Sequence, residues 1–471
     1  MRLALMGLAT AMTLAAAVTA SAADVQVPPQ DRTALAITIY SNDLGLVNDR
    51  RAVTIPPGVN RLSLVGVSRQ IIPSSAMVFA DKPIDLISLD YQFDLLTPTA
   101  LLQRAVGETV GVIRTHPTTG EEKVEQAEVL SVQDGIVLRY RDRIETGIPG
   151  RLVFDAVPED LHPQPTLSAT VASEAELPVE LDLGYLTTGL AWEADYVLEV
   201  DDAGQRLDIV GRATLRNTSG TDFTEASLAL IAGEIRREEP SVPEARMAMA
   251  ETRMMLDSGA AVERQAVADL HLYRIEAPVT LPDQQTRQIA LLAAENVVFN
   301  REYVSVGGPP VFRYMHGDPQ PEQARITLRF RNDAETGPGA PLPAGLARVY
   351  TRSPSGERRF LGEQQIAHTA VGQEVEVSPG RAFDVTVRRE QTDYSQIGAT
   401  RDIFESAHRL TVANAKNDAV TVKLIEIIAG DWEIVEASAP HEKESADRAV
   451  WTIEIPPRES AAITYRVRVR R

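Results

Sequence analysis

The sequence runs to 471 residues, with 47 Lys and Arg against 66 Asp and Glu, a formal charge of −19, and no cysteine. A surface this acidic is repelled by phosphate backbones and by anionic lipid headgroups, which argues against nucleic acid and the membrane surface as partners. Without cysteine there is neither a disulfide nor a lipid-acceptor thiol, so burial alone must hold the fold, and a chain of several hundred residues buries most of its apolar surface.

Residues 1–22 carry one basic residue, Arg2, an apolar run from Leu3 to Val18, and then Ala20-Ser21-Ala22. Small residues at the first and third positions before a cleavage point suit a signal peptidase, and the run falls short of the roughly 20 residues that span a bilayer. The expectation is a secretory signal cut after Ala22 and a periplasmic or secreted protein, with no integral membrane segment after cleavage. Loss of Arg2 makes the acidic excess larger by one.

Glycine and proline, 29 of each, recur between short runs of Val, Ile, Leu and Thr. Such punctuation is the signature of an all-β chain of sandwiches or barrels. In residues 33–100 the runs ITIY, LGLVND, RRAVTI and NRLSLVGV are separated by Ser-Asn-Asp, Asn-Asp-Arg and Pro-Pro-Gly turns, giving an N-terminal β-sandwich segment. Residues 101–160 hold GETVGVIR, VEQAEVLSVQ, GIVLRYRDRIETG and GRLVFDAVP, the rhythm of a small SH3-like barrel.

Residues 161–400 form the expected central β-sandwich region, and its stretch YLTTGLAWEADYVLEV mixes aromatics with acids as a sugar-cleaving site would. Alternation decides between site and strand. It places Trp192, Ala194, Tyr196, Leu198 and Val200 on one face and Glu193, Asp195 and Glu199 on the other. A retaining glycosidase needs two carboxyls facing each other about 5 Å apart, which neighbours on one strand do not provide. The stretch therefore reads as a half-buried strand with a solvated acidic back.

An insert at 236–269 breaks this rhythm, rich in Ala, Glu, Arg and Met, and reads as a short helical or disordered segment between strands. Met247, Met249, Met254 and Met255 fall within nine residues of it. Clustered thioethers form an adaptable apolar surface, which makes these four the candidate partner-binding residues, and they are also soft ligands of the kind that select Cu(I). The nearest histidine, His271, belongs to the following strand.

Two motifs recur irregularly. Asn-containing turns join strands around Asn217, Asn332 and Asn414, and apolar-Pro turns open strands at Ile55, Leu281 and Ile455. Their pairing suits serial immunoglobulin-like β-sandwich modules, the last spanning 401–471. The seven histidines include no HExxH and no pair at ligand spacing, and neither GxSxG nor a phosphate-cradling glycine loop occurs. Asp201-Asp202 and Asn332-Asp333 sit where Asx residues turn a chain, in preference to a calcium loop. No catalytic residue, cofactor or metal site is expected.

The blocks YLTTGLAWEADYVLEV, LDIVGRATLRNTSGTDFTEASLALIAGEI, LHLYRIEAPVTLPDQQTRQIALL and PLPAGLARVYTRSPSGERRFLGEQQIAHTAVGQEVEVSPGRAFDV, in this order, resemble the bacterial domain of unknown function shared with mucoidy-inhibitor-A-like proteins. The resemblance runs from about Leu181 to the C-terminus and implies an exported β-rich protein, without supplying catalytic residues. Mucoidy-inhibitor-type members are expected to carry a coiled coil before this domain, where the present chain has a strand-rich segment without sustained heptads. Two functions follow as expectations. The first is a non-enzymatic cell-envelope scaffold that binds an envelope protein through strand edges or the Met-bearing insert. The second is a hydrolase or carbohydrate-binding protein acting on envelope or exopolysaccharide glycans. Open sandwich edges permit strand-to-strand dimers, and nothing in the sequence fixes an oligomeric state.

Overall fold

A computed structural model describes residues 23–92, 95–147, 150–158, 161–201, 205–233, 235, 264–267, 270–314, 319–352, 355–398 and 402–470. Strand dominates them, arranged in four sheets of four, five, seven and thirteen strands, and none of these sheets closes into a barrel. The candidate residues Met247, Met249, Met254 and Met255 lie outside the described residues, as does the N-terminal segment 1–22.

The seven-stranded sheet runs Arg264–Val267, Leu270–Leu281, Phe223–Ala232, Arg32–Tyr40, Leu44–Ile55, Leu177–Thr187, Met77–Ala80. The four-stranded sheet sets Ala23–Val27 parallel to Gly58–Val65, followed by Thr166–Ser173 and Asp85–Gln92. The first half of the thirteen-stranded sheet runs Arg358–Ile366, Gly345–Arg352, Leu190–Asp201, Arg206–Asn217 and Gln285–Gly307. One core joins these three sheets, from Val27 through Leu181 and Tyr196 to Val377. Residues 33–100 and 161–377 thus share a single interior. The reason is pairing at long range, since Leu44–Ile55 takes Leu177–Thr187 as its antiparallel neighbour along eleven residue pairs. Punctuation marks strand ends and carries no information about which distant strand supplies the partner.

Alternation in Leu190–Asp201 is realised, with Trp192, Ala194, Tyr196, Leu198 and Val200 all buried. Trp192 Nε1 donates to the Ile231 carbonyl at 3.0 Å and the Tyr196 hydroxyl to the Pro343 carbonyl at 2.7 Å, so both polar tips are satisfied in the core. On the other face Asp195 accepts from Arg348 at 2.9 Å and Glu199 from Arg358 at 2.8 Å. These acids neutralise guanidinium groups of the next two strands, Arg348 on Gly345–Arg352 and Arg358 on Arg358–Ile366.

Residues 109–153 form an open five-stranded sheet in the order Ile144–Thr146, Val137–Arg139, Glu122–Ser131, Thr109–Thr115, Arg151–Val153, with its own small core around Val112, Val129 and Leu138. Its two outer strands are not paired with each other, so the five strands make no ring. The α-helix Pro98–Arg104 precedes it, with the Thr97 hydroxyl capping the first turn by accepting from Ala100 N at 3.1 Å. Part of the insert expected at 236–269 is regular: Arg264–Val267 pairs antiparallel with Leu270–Leu281 and forms the outer strand of the seven-stranded sheet. Four residues are too few for alternation to reveal a strand in the sequence.

A second core holds Tyr303, Val311, Ala382, Val385, Trp451, Tyr465 and Val467. It draws on 401–471 but begins earlier in the chain, because two long strands run from one core into the other. Gln285–Gly307 contributes Phe299 to the first core and Tyr303 to the second, and Glu374–Ile397 contributes Val377 to the first and Val385 to the second. Ile326 packs against both.

The recurring Asn and Pro turns meet in space. Asn217, buried at the end of its strand, donates its carboxamide Nδ2 to the carbonyls of Thr221 and Leu281, each at 2.9 Å. Asn414 repeats the arrangement, donating to Asp418 at 2.8 Å, Pro456 at 3.0 Å and Ile455 at 3.2 Å. In both places the Asn corner of one hairpin pins the Pro turn of another. Asn332 uses a different partner, the Ala340 carbonyl at 2.8 Å. Asp333 beside it accepts from the backbone N–H groups of Thr336 at 2.7 Å and Glu335 at 3.1 Å, which makes it an Asx turn and holds its carboxyl below the usual range.

Candidate functional site

Burying a charged or polar side chain is costly unless every group finds a partner, so a row of them inside a β core marks a place where the sequence has accepted that cost. The second core contains such a row, supplied by five neighbouring strands.

Its first part is an ion pair. Glu426 sits at an inward position of Val420–Ile427, after Val422 and Leu424, and is fully buried. Arg389 reaches it from Glu374–Ile397, with Nε 2.8 Å from Glu426 Oε1 and Nη1 3.0 Å from the Ser305 hydroxyl. The remaining nitrogen, Nη2, is buried without a hydrogen-bond partner. The route is open only because residue 307 is glycine: a Cβ there stands 2.1 Å from Arg389 Nε and 2.7 Å from Cζ. Gly307 lies opposite Glu426 in the parallel pairing of Gln285–Gly307 with Val420–Ile427, so the guanidinium crosses one backbone to meet a carboxylate on the next strand.

The row continues through Tyr465, whose hydroxyl donates to Glu426 Oε2 at 3.2 Å. Burial pushes the Glu426 carboxyl up, against the opposing influence of Arg389, and pushes the Tyr465 phenol up as well. His408 pairs with Tyr465 across adjacent strands, and the two rings stack with centroids 5.1 Å apart. Burial pushes the His408 imidazole down to about 4, so it is neutral at physiological pH. Its Nε2 lies 2.8 Å from the Ser406 hydroxyl, and Ser406 Oγ lies 2.8 Å from Gln391 Nε2.

Gln391 leads out of the core. Its amide nitrogen also donates to the carbonyls of Pro310 at 2.8 Å and Arg313 at 3.0 Å. These belong to a strap, residues 308–314, that leaves the end of Gln285–Gly307 and lies over the sheet. Val311 plugs the strap into the core, Phe312 meets Phe404 edge-on at 5.3 Å, and the Tyr394 hydroxyl holds the Phe312 carbonyl at 2.9 Å.

The arrangement brings a serine to a histidine, yet Ser406 is wholly buried and the histidine is buried beside it and held neutral. It does not present a nucleophile to substrate. What the row does is couple five strands and one loop through a continuous chain of partners. No group of three or more His, Asp or Glu residues suited to a metal occurs among the described residues.

Histidine spacing alone misses this row. The available signal was register: Ser406, His408, Leu410, Val412 and Asn414 alternate inward in ESAHRLTVAN, and Val422, Leu424 and Glu426 do so in VTVKLIE. A glutamate and a histidine at inward positions demand partners, although the partners themselves come from strands far away in sequence.

Comparison with curated proteins finds no match. The family model described as a domain of unknown function, DUF4139, matches residues 181–471, which takes in the whole polar row and the Asn217 and Asn414 corners, and the chain belongs to that family.

Proposed function

We propose that the protein is an exported, non-enzymatic cell-envelope scaffold that binds an envelope protein. The observation that supports this reading is a set of exposed apolar side chains on two strands of the largest sheet. Phe383 is 84% exposed, Phe360 55% and Leu361 43%. Phe360 and Leu361 lie on the edge strand Arg358–Ile366 and Phe383 on Glu374–Ile397, two strands that approach each other where Gly362 meets the Pro379 carbonyl. Large apolar groups exposed on a sheet are costly in water and suit partner recognition. Among the described residues, shifted carboxyls are held by basic partners or enclosed: Glu199 and Asp393 are lowered by arginines, Glu125 and Glu145 are both engaged by Arg143, and Glu426 is buried.

We further read the strands around the second core as immunoglobulin-like and the five-stranded sheet as an opened relative of the SH3 pattern, on their mostly antiparallel neighbours. The likeness to mucoidy-inhibitor-A-like proteins supports an envelope setting. The test is site-specific photo-cross-linking in cells from position 383 of the full chain, alongside fractionation. A discrete adduct in the periplasmic fraction that disappears when Phe360→Ser and Leu361→Ser are introduced supports the proposal. Absence of any adduct at 383, or cytoplasmic retention of the chain, overturns it.

A further inference from the structure

In a chain with 66 Asp and Glu against 47 Lys and Arg, a surface arginine ordinarily has a carboxylate within reach. Where Arg358–Ile366 approaches Glu374–Ile397 the nearby acids are already engaged. Arg348 holds Glu363 at 3.2 Å, Arg329 holds Glu376 at 3.0 Å and Glu374 at 3.3 Å, and Arg389 lies 4.0 Å from Glu322. Three arginines of the same neighbourhood are left over. Arg325, Arg359 and Arg381 are exposed, and none of them has an ion pair or a side-chain hydrogen bond among the described residues. Asp384 is exposed close by and pairs with none of them. Arg325 and Arg381 also stand opposite each other in the pairing of Glu322–Arg331 with Glu374–Ile397, and like charges placed directly across destabilise a sheet.

The exposed apolar side chains sit on the same stretch. Gln323 pairs with Thr386 and Arg325 with Arg381, so two steps on one strand meet five on the other, and the surplus residues bulge. Ala382 and Val385 turn into the second core, which throws Phe383 outward. The edge strand then passes antiparallel to this segment: Gln364 Oε1 accepts from Ser378 N, Gly362 meets the Pro379 carbonyl, and the Leu361 carbonyl lies 3.8 Å from the place of a Cβ on Gly380. Arg359 is two residues from that last contact and Phe383 three, which is within about 10 Å at the rise of a strand. That distance is about one Debye length at moderate salt, so the three guanidinium groups act together while the acids of the remote surface are screened.

We propose that this surface takes an extended segment of an envelope protein in which carboxylates alternate with apolar side chains. The inference rests on the partner reading given for Phe383 and names the chemistry of that partner. Guanidinium forks match carboxylates, and binding one relieves the opposition of Arg325 and Arg381. Phe360, Leu361 and Phe383 match apolar groups, and an extended segment presents the two kinds of side chain in turn. An acidic polysaccharide brings carboxylates but no aliphatic side chain to set against Leu361, so a peptide fits the whole surface better.

Fluorescence anisotropy of a labelled dodecapeptide of alternating Glu and Leu, titrated with the full chain at about 0.15 M salt, tests the chemistry. Arg325→Gln, Arg359→Gln and Arg381→Gln are each expected to weaken binding about threefold and the triple variant about twentyfold, the scale of exposed charge pairs. Phe383→Ser weakens it as well, whereas Arg141→Gln, at an exposed arginine between Val137–Arg139 and Ile144–Thr146, leaves it unchanged. Equal affinity of the peptide for wild type and triple variant, equal affinity of wild type for the matching Gln and Leu peptide, or tighter binding of oligogalacturonate overturns the proposal. Photo-cross-linking in cells from position 383 separates this inference from the reading beneath it. An adduct whose yield is unchanged in the triple variant, or one that joins two copies of this chain, overturns the acidic segment alone, and the absence of any adduct in wild type removes both.

Discussion

Arg51 Nη2 lies 2.7 Å from Asp49 Oδ2 in a place where neither side chain reaches solvent, their exposures being 0% and 1%. Arg32 approaches the same carboxylate at 2.8 Å, and Arg51 Nη1 donates to the carbonyls of Val27 at 2.6 Å and Val65 at 2.7 Å. One guanidinium therefore joins Leu44–Ile55 of the seven-stranded sheet to two parallel strands of the four-stranded sheet. Burial raises the Asp49 carboxyl, but the hydrogen bonds from Arg32 and Arg51 outweigh it and hold the group below its usual value.

Removing Arg51 leaves the buried Asp49 carboxylate to Arg32 alone and two carbonyls without their arginine donor. Arg51→Ala is expected to cost about 3–5 kcal/mol in urea unfolding at pH 7, and adding Asp49→Ala should cost less than Asp49→Ala does alone, because the two side chains share one interaction. Protection of the Ala23–Val27 amides should fall in the single variant before that of Leu190–Asp201. An Arg51→Ala protein as stable as wild type would show that the two sheets are held by apolar contact alone.

Asn414 gives a sharper chemical contrast. Its Nδ2 serves three carbonyls, those of Asp418, Ile455 and Pro456. Asn414→Ala should cost about 1–3 kcal/mol through unsatisfied acceptors. The isosteric Asn414→Asp should cost more than Asn414→Ala, since an acceptor-only carboxylate then faces carbonyl oxygens. Thermal unfolding of the three proteins at pH 7 checks the order, and an Asp variant milder than the Ala variant would contradict the pinning role.

Much of the fold was legible because strand alternation is local. Trp192, Tyr196 and Val200 on one face, with Asp195 and Glu199 behind, follow from period two alone. The Asn and Pro turns were visible as a pairing of motifs, and the structure supplies its physical basis at Asn217 with Leu281 and at Asn414 with Ile455. The partner strands were not legible. Nothing local says that Leu181 sits across from Arg51, or that Gly307 lies opposite Glu426. The polar row was missed for the same reason, since Arg389, Glu426, Tyr465 and His408 become neighbours only through sheet order.

His408 makes stability depend on pH with a definite sign. Its folded value is depressed from an ordinary 6.5 to about 4, so between these limits the unfolded chain binds the proton and the folded chain does not. The contribution is complete above about 6.5 and is lost as pH falls towards 4, amounting to about 3 kcal/mol over that window. Glu426 acts with the opposite sign, its raised folded value relieving a burial penalty as pH falls. Subtracting the stability–pH curve of His408→Gln from that of wild type isolates the histidine. The difference should slope between pH 6.5 and 4 and level off on both sides, and a level difference throughout would place His408 in contact with solvent.

Gly307 and Gly308 are adjacent in sequence and opposite in what they tolerate. A Cβ at 307 collides with Arg389 Nε at 2.1 Å, whereas at 308 nothing lies within 4 Å. Gly307→Ala must push the guanidinium off Glu426 or distort the strand, and should cost about 1–3 kcal/mol, the range for overpacking. Gly308→Ala should be neutral or slightly stabilising, because it restricts the unfolded chain without meeting a neighbour. If the cost at 307 comes from displacing Arg389, then Arg389→Ala in the Gly307→Ala background should cost far less than Arg389→Ala alone, and denaturant unfolding of the four proteins measures that coupling. Additive costs would mean that the glycine is required by the backbone and not by the arginine that crosses it.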